Sequence, residues 1–257
     1  MLGNMDNLKS DGINICMEYG AANKRRTLNL TQLHIELGPT VRASLPGFYA
    51  ITGCDYNPAF LKKGKKKPFQ IIKNNLDYQK ALADIGQLDV PELQYEMFAT
   101  LEKFVCELYG YKNVTNINNA RFQKFCSTYK SKNINEPFGK NLIKYDASNL
   151  PPCKAELHQN LLRTQYITSI WRNAHLSTPT SLLPERYGWT LKNNRYEFKW
   201  FEGDCIPKTV LDAVKTGSTT ENNPNNEDDE RTFYNEEVFS SDSSEEDSED
   251  SSDEDEH

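Results

Sequence analysis

The chain has 257 residues, of which 37% are hydrophobic and 26% are charged, and its formal net charge is -7. It contains no apolar run of about 18 residues, and its first residues form neither a basic nor an apolar segment, so we expect a soluble, intracellular protein without a membrane partner. Its six cysteines form no C-x-x-C pair, which argues against a zinc site or a dense disulfide scaffold and predicts reduced, mostly buried thiols.

The sequence first predicts a β-hairpin and two helices. Strands are expected at 13–20 and 27–30, a short helix at 31–38 and an apolar helix at 45–52. The strand segments carry apolar residues at several positions and flank the polar turn ANKRR. Thr31 is the expected N-cap of the short helix, and Gly38 followed by Pro39 is expected to end it.

Further helices and a second hairpin follow. The helices are expected at 68–74, 77–85, 91–109, 118–129 and 154–174. The helix at 91–109 has the clearest pattern, because its apolar residues recur at steps of three and four positions. Near residue 200, two aromatic segments flank Asn193 and Asn194, which predicts a hairpin with Trp189 and Trp200 partly buried.

Charge divides the chain into a basic body and an acidic tail. Residues 217–257 contain 17 acidic residues and one basic residue, a net charge of -16. Subtracting these from the totals of 37 acidic and 30 basic residues leaves 20 acidic and 29 basic residues in positions 1–216, a net charge of +9. Apolar residues are scarce in the tail, so we expect residues 216–257 to be disordered and able to bind basic proteins.

The chain lacks the motifs of several classes of enzyme. The chain contains no G-x-S-x-G, H-E-x-x-H, P-loop or G-x-G-x-x-G sequence. His34, His158 and His175 fall on predicted helices or at their ends, where a packing or surface role is expected. The sequence therefore gives no support to acyl transfer or to zinc-dependent hydrolysis.

The stretch GCDYNPAFLKKGKKK at 53–67 carries the candidate binding residues. The carboxylate of Asp55 can hold Mg²⁺. Five lysines surround Gly64 just before a predicted helix, and together with the free N–H groups of that helix they can hold phosphate: Lys62, Lys63, Lys65, Lys66 and Lys67. The alternatives for this run are a solvated turn or a nuclear-import signal, which would place the protein in the nucleus.

The same stretch resembles the helix-two-turn-helix region of the flap endonuclease and XPG nucleases, which are PIN-like, structure-specific nucleases. The shared order is an apolar helix, G-C-D-Y, a spacer, a G-x-K turn and a second apolar helix. In this chain the motifs are residues 53–56, then Gly64 and Lys66. The resemblance covers residues 13–86, about a third of the chain.

A second likeness extends to about residue 207. The pattern F-x-A-I-T-G-C-D with K-G-K-K is similar to that of a group of mobile-element-associated proteins in animals. In that group an L-P-P-C segment, a helix ending in Trp and a Y-G-W element follow in order. This chain has them at 150–153, at Trp171 and at 187–189.

The resemblance implies an α/β fold and Mg²⁺-dependent hydrolysis of phosphodiester bonds, in which several acids converge on two metal ions. Asp55 would be the last metal-binding carboxylate of such a site, and Gly64 with Lys66 would form the turn that contacts DNA phosphate. The expected parts are the C-terminal portion of a PIN-like domain at 1–90, a mainly helical region with a small hairpin at 91–215 and the disordered acidic tail at 216–257.

Two departures from the family affect this expectation. Lys62 stands where the family has the first glycine of the turn, and Pro68 stands where it has a small residue. The acids that precede Asp55 form no D-x-D or E-x-E pair: Asp6, Asp11, Glu18 and Glu36. We therefore expect the chain to be the C-terminal portion of a nuclease domain with an incomplete metal site.

Three functional hypotheses follow. The first is a nucleic-acid-binding protein, with DNA as the expected ligand, that derives from a structure-specific nuclease and is catalytically inactive as this chain. The second is an active Mg²⁺-dependent structure-specific endonuclease whose remaining acids come from residues 1–40 or from another chain. The third is a non-catalytic nuclear protein that binds basic partners through its acidic tail.

Overall fold

The computed structural model describes residues 5, 13–87, 93–128, 146–178 and 181–202. Within these ranges the fold is mixed α/β and mainly helical, as expected, with two small antiparallel hairpins. The main elements are β1 (Cys16–Tyr19), β2 (Arg26–Asn29), α1 (Leu30–Ile51), α2 (Lys66–Lys73), α3 (Leu76–Asp84), α4 (Tyr95–Leu108), α5 (Ile117–Thr128), α6 (Lys154–Arg172), β3 (Trp189–Lys192) and β4 (Arg195–Phe198).

The first hairpin leads directly into α1. β1 and β2 pair with Cys16 opposite Asn29, and Asn29 is also the N-cap of α1, because its side chain accepts a hydrogen bond from the N–H of Gln32. The prediction of Thr31 as the cap is wrong. Its hydroxyl instead accepts a hydrogen bond of 2.9 Å from the N–H of Ile15, which ties the start of α1 to the residue just before β1.

Helix α1 is interrupted at Gly38. Its φ of 72° and ψ of 166° lie outside the helical region, so the expected break at this glycine is confirmed. A second helical segment starts at once, because Pro39 fits the first turn of a helix, where its missing N–H is not needed. This segment buries Phe48, Ala50 and Ile51 and delivers the chain to the stretch that begins at residue 53.

A large hydrophobic core contains residues from each of the helices α1 to α6. Its members include Phe48, Ile51, Ile72, Leu82, Leu101, Phe104, Ile117, Leu157 and Leu161. Burial of each such side chain contributes about 1.5–3 kcal/mol to folding. Residues on both sides of the boundary expected at residue 90 take part, and the described residues belong to the compact unit Met1–Gly203.

The second hairpin has the turn that its sequence predicts. Asn193 and Asn194 have φ values of 48° and 62°, the left-handed conformation that a two-residue hairpin turn requires. Trp189 is buried at 8% exposure, whereas Trp200 is 54% exposed, so the burial expected for Trp200 is wrong. Trp200 lies beyond the end of β4, and its ring packs against that of Phe198 at 5.6 Å.

The five cysteines in the described ranges are free thiols, as expected. The expectation that they are mostly buried is wrong, because only Cys106 is buried, whereas Cys16 and Cys126 are exposed. Burial, with a smaller effect of the Glu102 charge, raises the pKa of the Cys106 thiol to about 11. This thiol is therefore protonated at neutral pH and packs as an apolar group.

In the ranges that the structure describes, no helix is long and apolar enough to cross a membrane. The acidic tail at 216–257 lies outside these ranges, so its expected disorder stays a prediction.

Candidate nucleic-acid interface

Asp55 lies on a tight turn that follows α1. The N–H of Cys54 donates to the carbonyl oxygen of Asn57 at 2.9 Å, and the N–H of Asn57 donates back to the carbonyl oxygen of Cys54 at 3.2 Å. These two bonds close the turn and leave Asp55 and Tyr56 between them. Both side chains are exposed.

A buried polar network fixes this turn to the rest of the molecule. The side-chain nitrogen of Asn57 donates to the hydroxyl of Thr164 at 3.1 Å, and its oxygen accepts a 3.0 Å bond from Nε of Arg163. Nη1 of Arg163 donates to the carbonyl oxygens of Gly188 at 3.0 Å and Lys199 at 2.8 Å. Burial lowers the pKa of Arg163 to about 10, so it is still charged at neutral pH. The network joins the turn, α6 and the second hairpin.

Lys65 has a structural role at the end of α1. Its Nζ donates to the carbonyl oxygen of Gly53 at 2.6 Å, to the hydroxyl of Thr52 at 3.0 Å and to the carbonyl oxygen of Tyr49 at 3.3 Å. It also lies 3.9 Å from the centre of the Tyr49 ring. A positive charge is favourable at the C-terminus of a helix, where carbonyl groups lack partners. Lys65, one of the five expected phosphate ligands, thus contacts the protein's own backbone.

The other lysines surround the N-terminus of α2. Lys62, Lys66 and Lys67 are exposed, and the first turn of α2 has neither an acidic residue nor a side-chain cap. Within this turn, Lys62 has a left-handed backbone conformation, with a φ of 55°. A Cβ atom added at Gly64 would meet no heavy atom within 4 Å, so the backbone at this glycine is open to a ligand.

Lys63 stands among other positive charges. Its Nζ lies 4.6 Å from the centre of the Tyr109 ring, a cation–π contact. Burial lowers the pKa of Lys63, and the charges of Lys67 and Lys124 lower it further. Lys124 is on α5, and the sequence does not indicate it, because only the packing of α5 brings it near a residue that is 61 positions earlier.

The metal site that the resemblance implies is not complete in the described residues. Within those ranges, no group of three His, Cys, Asp or Glu side chains is placed to hold a metal ion around Asp55 or elsewhere. Glu18 and Glu36 are exposed on β1 and α1, and Asp6 and Asp11 lie outside the described ranges. Asp55 alone does not fit two Mg²⁺ ions.

An open cavity of about 640 Å³ lies beside the turn. Asp55 lines it together with six aromatic side chains: Tyr56, Tyr166, Trp171, Trp189, Tyr196 and Phe198. The ring of Tyr49, on which Lys65 is stacked, lies 5.9 Å from the ring of Trp171, so the cavity and the lysines are near neighbours. This cavity could not be predicted from the sequence, because the turn, α6 and the second hairpin each supply part of its wall.

No family model matches the chain, and no curated protein or solved structure matches it. The described residues form a mainly helical α/β fold with an exposed lysine turn at a helix N-terminus and an aromatic cavity beside it.

Proposed function

We propose that the chain binds nucleic acid, with the phosphates of DNA as the main contact, through the turn at 62–67 and the N-terminus of α2. The observation that carries this proposal is the exposure of Lys62, Lys66 and Lys67 around the N-terminus of α2, whose first turn has neither an acidic residue nor a side-chain cap. A bound phosphate would relieve the repulsion between these charges. The partial positive charge of the helix N-terminus acts in the same direction.

The lysines of the turn have two different roles, one structural and one in binding. Lys65 holds the turn against α1, whereas Lys62, Lys66 and Lys67 are exposed and can reach phosphate oxygens. The open space at Gly64 would let the phosphate approach the backbone N–H groups. Contacts of this kind bind the nucleic-acid backbone and carry no sequence information.

We also propose that this interface derives from the helix-two-turn-helix region of a PIN-like nuclease. Two observations support the idea: α1, the turn and α2 follow in the implied order, and Lys62 has a left-handed conformation at the position where the family has glycine. Because the described residues do not complete a Mg²⁺ site, the proposed activity is binding without cleavage.

Two properties that the sequence predicts remain part of the proposal. The exposed Lys62, Lys66 and Lys67 are accessible to an import receptor, which supports a nuclear location. The charge of -16 in residues 217–257 supports binding of basic proteins by the tail.

The experiment compares the salt dependence of DNA binding between the natural chain and a triple variant, Lys62→Gln, Lys66→Gln and Lys67→Gln. Affinity for a labelled 20-base-pair duplex would be measured by fluorescence anisotropy at several salt concentrations. If the three lysines contact phosphate, the slope of log affinity against log salt should become shallower by about 2–3, because each lost phosphate contact removes about 0.9. The duplex should stay intact when Mg²⁺ is added.

A matched control removes the same charge elsewhere. Lys24, Lys80 and Lys103 are exposed and lie in other elements, and their change to Gln should leave the slope nearly constant. Equal slopes for the natural chain and the first triple variant would contradict the proposed interface. Cleavage in Mg²⁺ that Asp55→Ala abolishes would establish the endonuclease alternative.

A further inference from the structure

We propose that the aromatic cavity beside the turn binds a methylated ammonium group, namely the side chain of a trimethylated lysine on a partner protein. This inference goes beyond nucleic-acid binding, and it rests on residues other than the lysines at 62–67. It gives Asp55 a role that does not depend on a metal ion.

The charges carried by the lining residues of the cavity favour a cation. The carboxylate of Asp55 forms part of the lining, and none of the lining residues that the structure describes is Lys or Arg. A second carboxylate, Glu185, accepts a hydrogen bond of 3.3 Å from the hydroxyl of Tyr196, which also lines the cavity. After burial, the charge of Glu185 is the second cause that raises the pKa of Tyr166 on the same wall.

Aromatic rings form much of the wall of the cavity. Those of Tyr166 and Trp189 are 5.0 Å apart and inclined at 60°, so these two pack against each other and make one side of that wall. Tryptophan and tyrosine faces attract an ammonium group through their negative electron clouds, and methyl groups on the nitrogen fill the apolar space between rings. Phe198 contributes less, because the guanidinium of Arg163 already lies 5.1 Å from the centre of its ring.

The size and the lining of the cavity suit an organic cation better than a bare metal ion. A volume of about 640 Å³ lies within the usual range for organic ligands and has room for a trimethylated lysine with its alkyl chain. A hard divalent cation needs several oxygen ligands at short distance, and the described residues supply no such group.

A nucleobase is the competing occupant, because aromatic side chains also stack on bases. Charge decides between the two. A nucleotide brings a negative phosphate toward Asp55 and the neighbouring Glu185, whereas a trimethylated ammonium brings the opposite charge.

The test measures binding of small probes to the full chain by tryptophan fluorescence, since Trp171 and Trp189 line the cavity. The probes are trimethyl-lysine, choline, the neutral isostere of choline (3,3-dimethylbutan-1-ol) and cytidine. Trimethyl-lysine and choline should quench fluorescence saturably, and the isostere should bind about tenfold more weakly, because it has the shape without the charge. Binding of the isostere as tight as that of choline would overturn the proposal, as would tighter binding of cytidine or no saturable quenching by any probe.

Two variants locate the site without touching the core. Asp55→Asn should weaken choline binding about threefold or more while the affinity for the isostere stays the same, because only the charge changes. Tyr56→Leu removes an exposed ring and should weaken the binding of both, with an unchanged melting temperature as proof of folding. Glu36→Gln, which removes an exposed carboxylate on α1, is the charge control and should leave all affinities constant. If Asp55→Asn has no more effect than Glu36→Gln, the proposal fails.

Discussion

The two glycines of the stretch at 53–67 have different tasks. Gly53 has a φ of 106°, and a Cβ atom there would lie 2.5 Å from Cβ and 2.6 Å from Cα of Ala59. Gly53→Ala therefore combines a strained backbone with a clash against main-chain atoms and should lower the free energy of unfolding by about 2–4 kcal/mol. Urea unfolding followed by tryptophan fluorescence would measure the loss.

Gly64→Ala is the matched control. The backbone of Gly64 is outside the left-handed region and the space around it is open, so the methyl group should be neutral or stabilise the fold by up to about 1 kcal/mol. In the proposed interface that methyl group would stand between phosphate and backbone, so DNA affinity should fall although stability does not. A loss of stability equal to that of Gly53→Ala would show that the turn needs both glycines.

At the scale of elements, one buried carboxylate connects three helices. Glu102 of α4 is 3% exposed, and it accepts a 2.9 Å bond from the N–H of Ile117 at the start of α5. Its other oxygen lies 3.3 Å from Nζ of Lys154, at the start of α6. Glu102→Ala should therefore lower the free energy of unfolding by about 2–3 kcal/mol, because a buried N–H loses its acceptor and Lys154 loses its partner.

Two further variants separate the contributions of Glu102. Glu102→Gln keeps an acceptor for Ile117 and loses only the charge, so its cost should be about 1 kcal/mol. Glu96→Ala removes an exposed acid from the first turn of the same helix and should cost less than about 1 kcal/mol. Equal losses for Glu102→Ala and Glu96→Ala in urea unfolding would show that Glu102 does not link the helices.

The helices and hairpins also show how far the sequence could predict the structure. The second hairpin and the long helices were predictable, because Asn193 and Asn194 favour a left-handed turn and the apolar pattern of 91–109 is local. The hydrogen bonds of Lys65 to the end of α1 could not be predicted, because they depend on how the turn folds back on that helix. The aromatic cavity and Lys124 depend on packing between residues about 60–140 positions apart, which a local pattern does not specify.

For the whole molecule, the dominant feature is the opposition between a body with a net charge of +9 and a tail with a net charge of -16. Because both belong to one chain, we expect any binding of the tail to the lysines to be intramolecular and therefore to compete with free DNA in a dilute assay. Salt weakens attraction between exposed charges, since the Debye length falls to about 10 Å at 0.1 M. Competition between tail and DNA should therefore be strongest at low salt.

Deletion of residues 217–257 should tighten DNA binding on the order of tenfold at low salt, and the difference should shrink as salt rises. Fluorescence anisotropy with the same labelled duplex would measure both affinities.

A full-length chain in which the 17 tail acids become Asn or Gln keeps the length and should behave like the deletion, which separates charge from bulk. The isolated tail, added as a peptide at the concentration of the truncated chain, should compete far less, because the tether is gone. If deletion and charge removal both leave the affinity constant at low salt, the acidic tail does not compete with DNA.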